Sequence, residues 1–338
     1  MRLYVVSLLL PFLLLGGLPD LEKGVQEFVL EEKQIKIPGH RGAFNPSIVR
    51  WSDGRLLLSF RSWEEGVQFP NLIGFVWLTE EFEVEGEPMM LSIYGDRPLA
   101  VSRAQDPRLI QVGSSYYIVY NNILNDVDLE VRRMVWALLR FNGKEFYIEN
   151  PQYITIFEGD KKNWREKNWA PFDLNGKLMF SYSLNPHRVF EPLFGTEECK
   201  TVALTQAQID WKWGELRGGT PAILDGDEYF GVFHTFVDMK SVQSAGKKIS
   251  HYFMGAYRFQ SEYPYALTQI SPEPILGSQF YNAPEYPTWK PLRVVFPGGI
   301  VFNNEFVWVV YGRQDFETWV VKMDKQLLLE SLMPVSGG

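Results

Sequence analysis

The chain has 338 residues, a formal net charge of −8 and 15% aromatic residues. The acidic balance and the lack of any Lys/Arg block exclude a basic nucleic-acid-binding surface. The single cysteine, Cys199, excludes an intramolecular disulfide and a cysteine-rich metal site, and histidines 40, 187, 234 and 251 lack paired metal-ligand spacing.

Met1–Leu18 reads as a targeting segment: Arg2 is followed by an apolar run interrupted by Pro11 and ending at Gly16 and Gly17. The run is short for a membrane span of about 20 residues. A secretory signal is therefore expected, placing the protein outside the cell, in a periplasm or in the secretory lumen. An uncleaved N-terminal anchor is the alternative, and it would be the chain's one link to a membrane.

A short pattern then recurs five times: Asn45-Pro46-Ser47-Ile48-Val49, Asp106-Pro107-Arg108-Leu109-Ile110, Trp169-Ala170-Pro171-Phe172-Asp173, Gly219-Thr220-Pro221-Ala222-Ile223 and Pro297-Gly298-Gly299-Ile300-Val301. A turn follows each copy, with Asp53-Gly54, Asn175-Gly176, Asp225-Gly226 and Asn303-Asn304 supplying hairpin chemistry in four of them. An apolar run follows the turn: 56–61, 116–121, 178–183, 229–234 and 306–312. Each unit carries a further strand-like run, at 73–79, 135–141, 201–206, 252–259 and 318–324, rich in aromatic and β-branched residues. The spacing suits four strands plus loops, at roughly 40–50 residues per unit. A unit that cannot bury its own apolar face must stack on its neighbours. The expected fold is all-β, a five-bladed β-propeller forming one domain over residues 25–332. A sandwich of many short strands is the competing architecture. One short helix is expected near Gln326–Leu332, and Ser241–Lys248 is expected as a flexible loop.

In a propeller the innermost strands converge on the axis, so the five motifs mark one mouth. Around it fall Asn45, Asp106, Asn168 or Trp169, Gly218 to Thr220, and Pro297 to Gly299. Proline biases the preceding residue toward extended backbone, so Asn45 and Asp106 are expected extended. Asp106 is the only carboxylate among these positions. Cations and polar groups gather nearby in the repeat: Arg41 and Arg61, Arg108, Lys167, His187 and Arg188, Arg217 and His234. A lone acid among cations suggests a proton donor opposite an anion site, with phosphate the natural anion. Blander readings stay open: Asp106 as a turn residue, Lys167 and Arg188 as surface charges, His234 as a core histidine. Trp63, Trp169 and Trp289 are either sugar platforms or core.

The segments HRGAFNPSIVRW (40–51), QDPRLI (105–110), EKNWAPF (166–172), SLNPHRV (183–189), RGGTPAI (217–223), FHT (233–235), HYFMGAY (251–257, which contains Tyr252) and FPGGIV (296–301) resemble glycoside hydrolase family 130. That family comprises β-mannoside phosphorylases and β-mannosidases on five-bladed propellers. The resemblance implies an inverting glycoside-cleaving enzyme with Asp106 as general acid. It implies Lys167, Arg217 and His234 as phosphate ligands, with inorganic phosphate as co-substrate and no cofactor. Asn45, Arg61, Arg108, Asn168, Arg188 and Tyr252 complete the expected substrate or phosphate site. Inverting hydrolysis instead needs a carboxylate base, for which Glu64, Glu166 and Asp173 are the candidates. Gln105 and Arg217 depart from the family pattern, so phosphate and water both stay open as nucleophile. A non-catalytic glycan-binding propeller is the alternative.

Overall fold

A computed structural model describes residues 17–63, 71–91, 104–123, 131–160, 165–286 and 290–336. Met1–Gly16, Glu64, Trp289 and the side chain of Trp63 lie outside this description.

The chain forms five antiparallel sheets. Blade I is β2 (Phe44–Arg50), β3 (Leu56–Trp63), β4 (Asn71–Leu78) and β5 (Val84–Met90). Blade II is β6 (Gln105–Val112), β7 (Ser115–Ile123), β8 (Arg132–Phe141) and β9 (Phe146–Tyr153). Blade III is β10 (Ala170–Leu174), β11 (Lys177–Leu184), β12 (His187–Pro192) and β13 (Cys199–Thr205). Blade IV contains β14 (Ile223–Asp225), β15 (Glu228–Met239), β16 (Ile249–Gln260) and β17 (Leu267–Ile270), with β18 (Leu292–Arg293) parallel to β16. Blade V is β19 (Val295–Phe302), β20 (Phe306–Arg313), β21 (Glu317–Asp324) and, from the opposite end of the chain, β1 (Val29–Gln34).

The expected five-bladed propeller is the observed fold. Middle strands carry apolar runs because they are covered on both sheet faces, as with the buried Ile118, Val119 and Tyr120 of β7. Five apolar clusters correspond to the five interfaces between neighbouring blades. Leu57, Phe75 and Trp77 meet Leu109, Ile118 and Phe146 between blades I and II. Val119 and Trp136 meet Trp169, Phe180 and Phe190 between II and III. Phe172 and Met179 meet Phe233, Tyr257 and Phe259 between III and IV. Phe253 and Met254 meet Tyr311 and Val321 between IV and V. Val310 and Val320 meet Ile48, Leu58 and Phe60 between V and I, which closes the ring.

Both termini fasten that ring. Pairing of Glu31, Glu32, Lys33 and Gln34 with Lys322, Val321, Val320 and Trp319 makes the N-terminal strand the outer edge of the last blade. At the other end, α1 (Lys325–Glu330) starts on the Asp324 carboxylate, which accepts from Leu327 N, and it buries Leu328. Beyond it β22 (Met333–Pro334) pairs with β17 of blade IV.

One local expectation is corrected and two open readings are settled. The run 201–206 falls on β13, the fourth strand of blade III; the third is β12, whose short segment HRVFEP carries Arg, Glu and Pro and so lacks a strand's apolar signature. Ser241–Lys248 is tied down rather than free. Ser241 and Ser244 are buried, Gln243 holds Asp20 and Leu21, and Val242 N donates to Pro19 O. Trp169 is 1% exposed and packs between blades II and III, so it is core and not a sugar platform.

His187 opens β12 inside blade III and is 1% exposed. Its Nδ1 donates to the Tyr265 carbonyl at 2.7 Å, leaving Nε2 to accept from Ser181 Oγ at 2.9 Å. Burial lowers its pKa to about 4, partly offset by the Tyr265 bond. A folded-state pKa below the unfolded value gives stability that is complete above the unfolded pKa and lost as pH falls toward the folded one. Denaturant titrations at about pH 7 and about pH 5 should therefore show the wild type losing ~2 kcal/mol more than His187→Gln. Equal losses would contradict this role.

Candidate functional site

The side chains at the mouth are aimed by backbone irregularities. Asn45, Asp106 and Asn168 have φ of 47°, 55° and 65°, in the left-handed region. The expectation of extended backbone before proline is therefore overturned at Asn45 and Asp106. Register shifts between Phe44 and Ser47 and between Gln105 and Arg108 show the reason: both positions are β-bulges. A bulge turns a side chain out of the strand's alternation, and Asn and Asp tolerate the left-handed region better than bulkier residues.

The two re-aimed residues meet. Asn45 Nδ2 donates to Asp106 Oδ1 at 2.8 Å, and Arg61 Nη1 reaches the same oxygen at 3.1 Å. Burial pushes the Asp106 pKa up. The charges of Arg61 and Arg108, the Asn45 hydrogen bond and the Lys167 charge outweigh it and hold the carboxyl at about 2. Asp106 is thus a carboxylate at neutral pH, in a site otherwise dominated by cations.

Arg108 crosses the axis. It is 1% exposed, and its guanidinium donates from Nη1 to Asp106 O at 2.6 Å and from Nε to Gly219 O, linking blade II to the segment entering blade IV. Phe296 of β19 lies 5.1 Å from the guanidinium carbon. Backbone carbonyls thus take Nε and Nη1; Nη2 is buried without a hydrogen-bond partner.

Lys167, Asn168 and Arg217 line one cavity of about 660 Å³ with Arg165, Glu166, Tyr182 and Glu215. Lys167 keeps contact with solvent at the cavity mouth, and its pKa is lowered, first by the protein atoms crowded around it, against the pull of Asp106, and further by the like charges of Arg217, Arg61 and Arg132. Arg217 pairs with Glu215 at 2.9 Å and lies 4.8 Å over the Phe236 ring. Its backbone bridges to His234 through two 2.9 Å hydrogen bonds.

His234 is 2% exposed and donates from Nδ1 to Gly218 O at 2.9 Å. Burial, then the charges of Arg108, Arg217 and Lys167, depress its pKa to about 3, so the ring is neutral and Nε2 carries a lone pair. In His187 and His251 the equivalent nitrogen accepts from a serine hydroxyl. No described residue supplies such a donor to His234. It therefore presents an acceptor, suited to a hydroxyl, and not a cation. Tyr252 stacks parallel to it with ring centroids 6.2 Å apart.

Arg188 is not brought to this cluster. Its guanidinium donates to Glu158 O at 2.8 Å in the connection between blades II and III, because it sits mid-blade on β12 and not at an inner-strand end. Asp173 is at the opposite end of β10, where it accepts from Gly113 N and Gly176 N in the hairpin. Glu166 accepts from the Trp169 indole at 3.0 Å. The carboxylate missed from sequence is Glu215, two residues before Arg217; that spacing was the available signal. A second cavity, of about 530 Å³, opens at the other end of the axis among Ile48, Ile110, Ile223 and Ile300, with Arg50 and Asp173 on its wall and none of Asp106, Lys167 and Arg217. Among the described residues no cluster of His, Cys, Asp or Glu could hold a metal ion.

Gly312 of β20 supports the site from behind. A Cβ there would lie 2.2 Å from Asn45 Oδ1 and 2.7 Å from Asn45 N. Gly312→Ala should therefore displace Asn45 and cost about 1–3 kcal/mol by overpacking. If Asp106 is catalytic, turnover should also fall on the order of 10²-fold, since small misplacements of reacting groups are expensive. Unchanged stability and turnover would show that the contact relaxes harmlessly.

Known proteins share this fold, and one family spans most of the chain. The family described as beta-1,4-mannooligosaccharide phosphorylase, glycoside hydrolase family 130, matches residues 19–333. No curated protein matches the chain. A glycosyl hydrolase from Bacteroides ovatus superposes with a TM-score of 0.63 at 17% identity, covering 97% of this chain and 98% of that one. A structure described with family 130 glycoside hydrolases that target beta-1,2 mannosidic linkages in Candida mannan gives 0.61 at 16% identity, covering 94% and 96%. A mannose phosphorylase from Leishmania mexicana, in complex with phosphate ion, gives 0.60 at 12% identity, covering 94% of each chain. A family match over nearly the whole described length, on a propeller whose mouth carries Asp106, Lys167 and Arg217, leads to one conclusion: the chain belongs to glycoside hydrolase family 130.

Proposed function

We propose that the protein cleaves a β-mannoside or related glycoside by inverting phosphorolysis, with Asp106 as the proton donor. The observation that carries this reading is the buried Asp106 carboxylate, held by Asn45 and Arg61 and acted on by Arg108 and Lys167, beside a cavity that also contains Arg217. In the reaction Asp106 gives its proton to the departing glycosidic oxygen. A phosphate oxygen held by Lys167 and Arg217 attacks the anomeric carbon from the opposite face. One displacement inverts the centre, so a β-mannoside yields an α-mannosyl phosphate and a free sugar. Phosphate is the nucleophile, so no carboxylate base is needed. The His234 lone pair accepts from a sugar hydroxyl or from a protonated phosphate oxygen. Tyr252, stacked on that ring, borders the same space.

A second reading has its own support. Glu215 sits on the cavity wall and engages Arg217, the residue that phosphate would need. A carboxylate there suits activation of water, giving inverting hydrolysis. We further propose that Met1–Leu18 directs export, which favours water as nucleophile where phosphate is scarce. A reporter fused to residues 1–18 that stays in the cytosol would remove that part.

A panel of manno-oligosaccharides with and without inorganic phosphate separates the two readings. Phosphorolysis yields sugar phosphate, and Arg217→Ala raises the KM for phosphate. Hydrolysis yields free mannose regardless of phosphate and is lost in Glu215→Gln. Under both, Asp106→Asn lowers turnover by about 10²–10⁴-fold. Undiminished turnover in Asp106→Asn would remove the assignment.

A further inference from the structure

Asp106 must carry a proton before it can donate one, yet the cations and the Asn45 amide around it hold it ionised. The groups facing it are mostly positive. Asn45 comes from β2, Arg61 from β3, and Arg108 from its own strand. Lys167 acts from the segment entering β10, and the Asp106 charge reaches Tyr252 on β16. Arg217 and Arg132 join Arg61 around Lys167, and neutral His234 of β15 feels Arg108, Arg217 and Lys167. Glu215 pairs with Arg217 and is solvent-exposed, so it offsets little of this field; Glu166, the other carboxylate lining the cavity, is engaged by the Trp169 indole.

We propose that binding of a tetrahedral oxyanion between Lys167 and Arg217 and uptake of a proton by Asp106 are one coupled event, so that the acid is charged with its proton only when the anionic co-substrate is in place. The proposal rests on the anion site of the phosphorolysis reading and extends it. The balance is simple: carboxylate, one solvent proton and a dianion become carboxylic acid and bound dianion. The anion takes up the positive field that had stabilised the carboxylate. Coupling is reciprocal, so protonated Asp106 also binds the anion more tightly. In turnover the proton passes to the glycosidic oxygen, the dianion bonds to the anomeric carbon and leaves as the phosphate of the sugar phosphate, and the ionised resting site returns. Water finds an unprotonated acid in the anion-free site, which suppresses hydrolysis.

Sulfate is a suitable probe because it does not titrate near neutrality. Calorimetry in buffers of different ionisation enthalpy counts the protons taken up per sulfate bound. The wild type should take up a growing fraction of one proton between about pH 7 and about pH 5, with affinity tightening by up to about tenfold per pH unit. Asp106→Asn should bind sulfate without that uptake. Infrared difference spectra of the wild type give a second readout that needs no variant: sulfate should raise the C=O stretch of a protonated carboxylic acid. Binding without uptake and without that band overturns the coupling and leaves the anion site standing. Uptake that persists in Asp106→Asn puts the proton elsewhere, on His234 for example, and also overturns it. Failure of both sulfate and phosphate to bind at any pH overturns the coupling and the phosphorolysis reading together.

Discussion

A carboxylate withdrawn from water is costly, and this site compensates by surrounding one carboxylate with positive charge and amide donors. The Asp106–Arg61 contact is the centre of that arrangement, with Asn45 on the same oxygen and Arg108 behind. Removing one partner of a fully buried pair costs about 3–5 kcal/mol, because the other is left uncompensated, and this largely buried pair approaches that limit from below. The architecture has to deliver these groups from separate blades to one point. Blade I supplies Asn45 and Arg61, blade II supplies Asp106 and Arg108, the entry to blade III supplies Lys167, and the entry to blade IV supplies Arg217.

Ring closure makes that delivery possible. The five apolar interfaces fix each blade against its neighbours, and the N-terminal strand completes the last blade. At the axis the innermost strands approach closely enough that side chains are excluded in places. A Cβ on Gly298 would lie 2.1 Å from Pro46 O, and one on Gly312 would meet Asn45 itself. Arg108 spans the remaining gap with hydrogen bonds to carbonyls on both sides. The side chain that lowers the Asp106 pKa by its charge also ties two blades across the centre, so electrostatics and architecture share one residue.

Much of this was legible in the sequence because a repeat multiplies weak signals. One Asp-Pro or one Asp-Gly says little, but five aligned strand-turn-strand units specify a ring and its inner mouth. The grouping of Asn45, Arg61, Asp106, Arg108, Lys167, Arg217 and His234 followed from that geometry. Local conformation did not. The pre-proline preference failed at Asn45 and Asp106 because bulge formation on a crowded inner strand outweighs a dipeptide bias. Arg188 was grouped with the site as one of the cations near the mouths, yet β12 carries it outward to Glu158. The polar stretch 241–248 looked loose because its partners, Pro19 to Leu21, lie more than 200 residues away. The two-residue spacing of Glu215 and Arg217 is visible in the sequence, but the cavity wall that they share is not.

The central claim is spatial: sugar, acid and anion share the mouth formed by the starts of the innermost strands. A crystal structure with a bound mannoside and sulfate tests it most directly. The account predicts the anion between Lys167 and Arg217 and the sugar facing the Asp106 carboxyl. A sugar seated in the cavity at the other end of the axis, or an anion away from both cations, would contradict it.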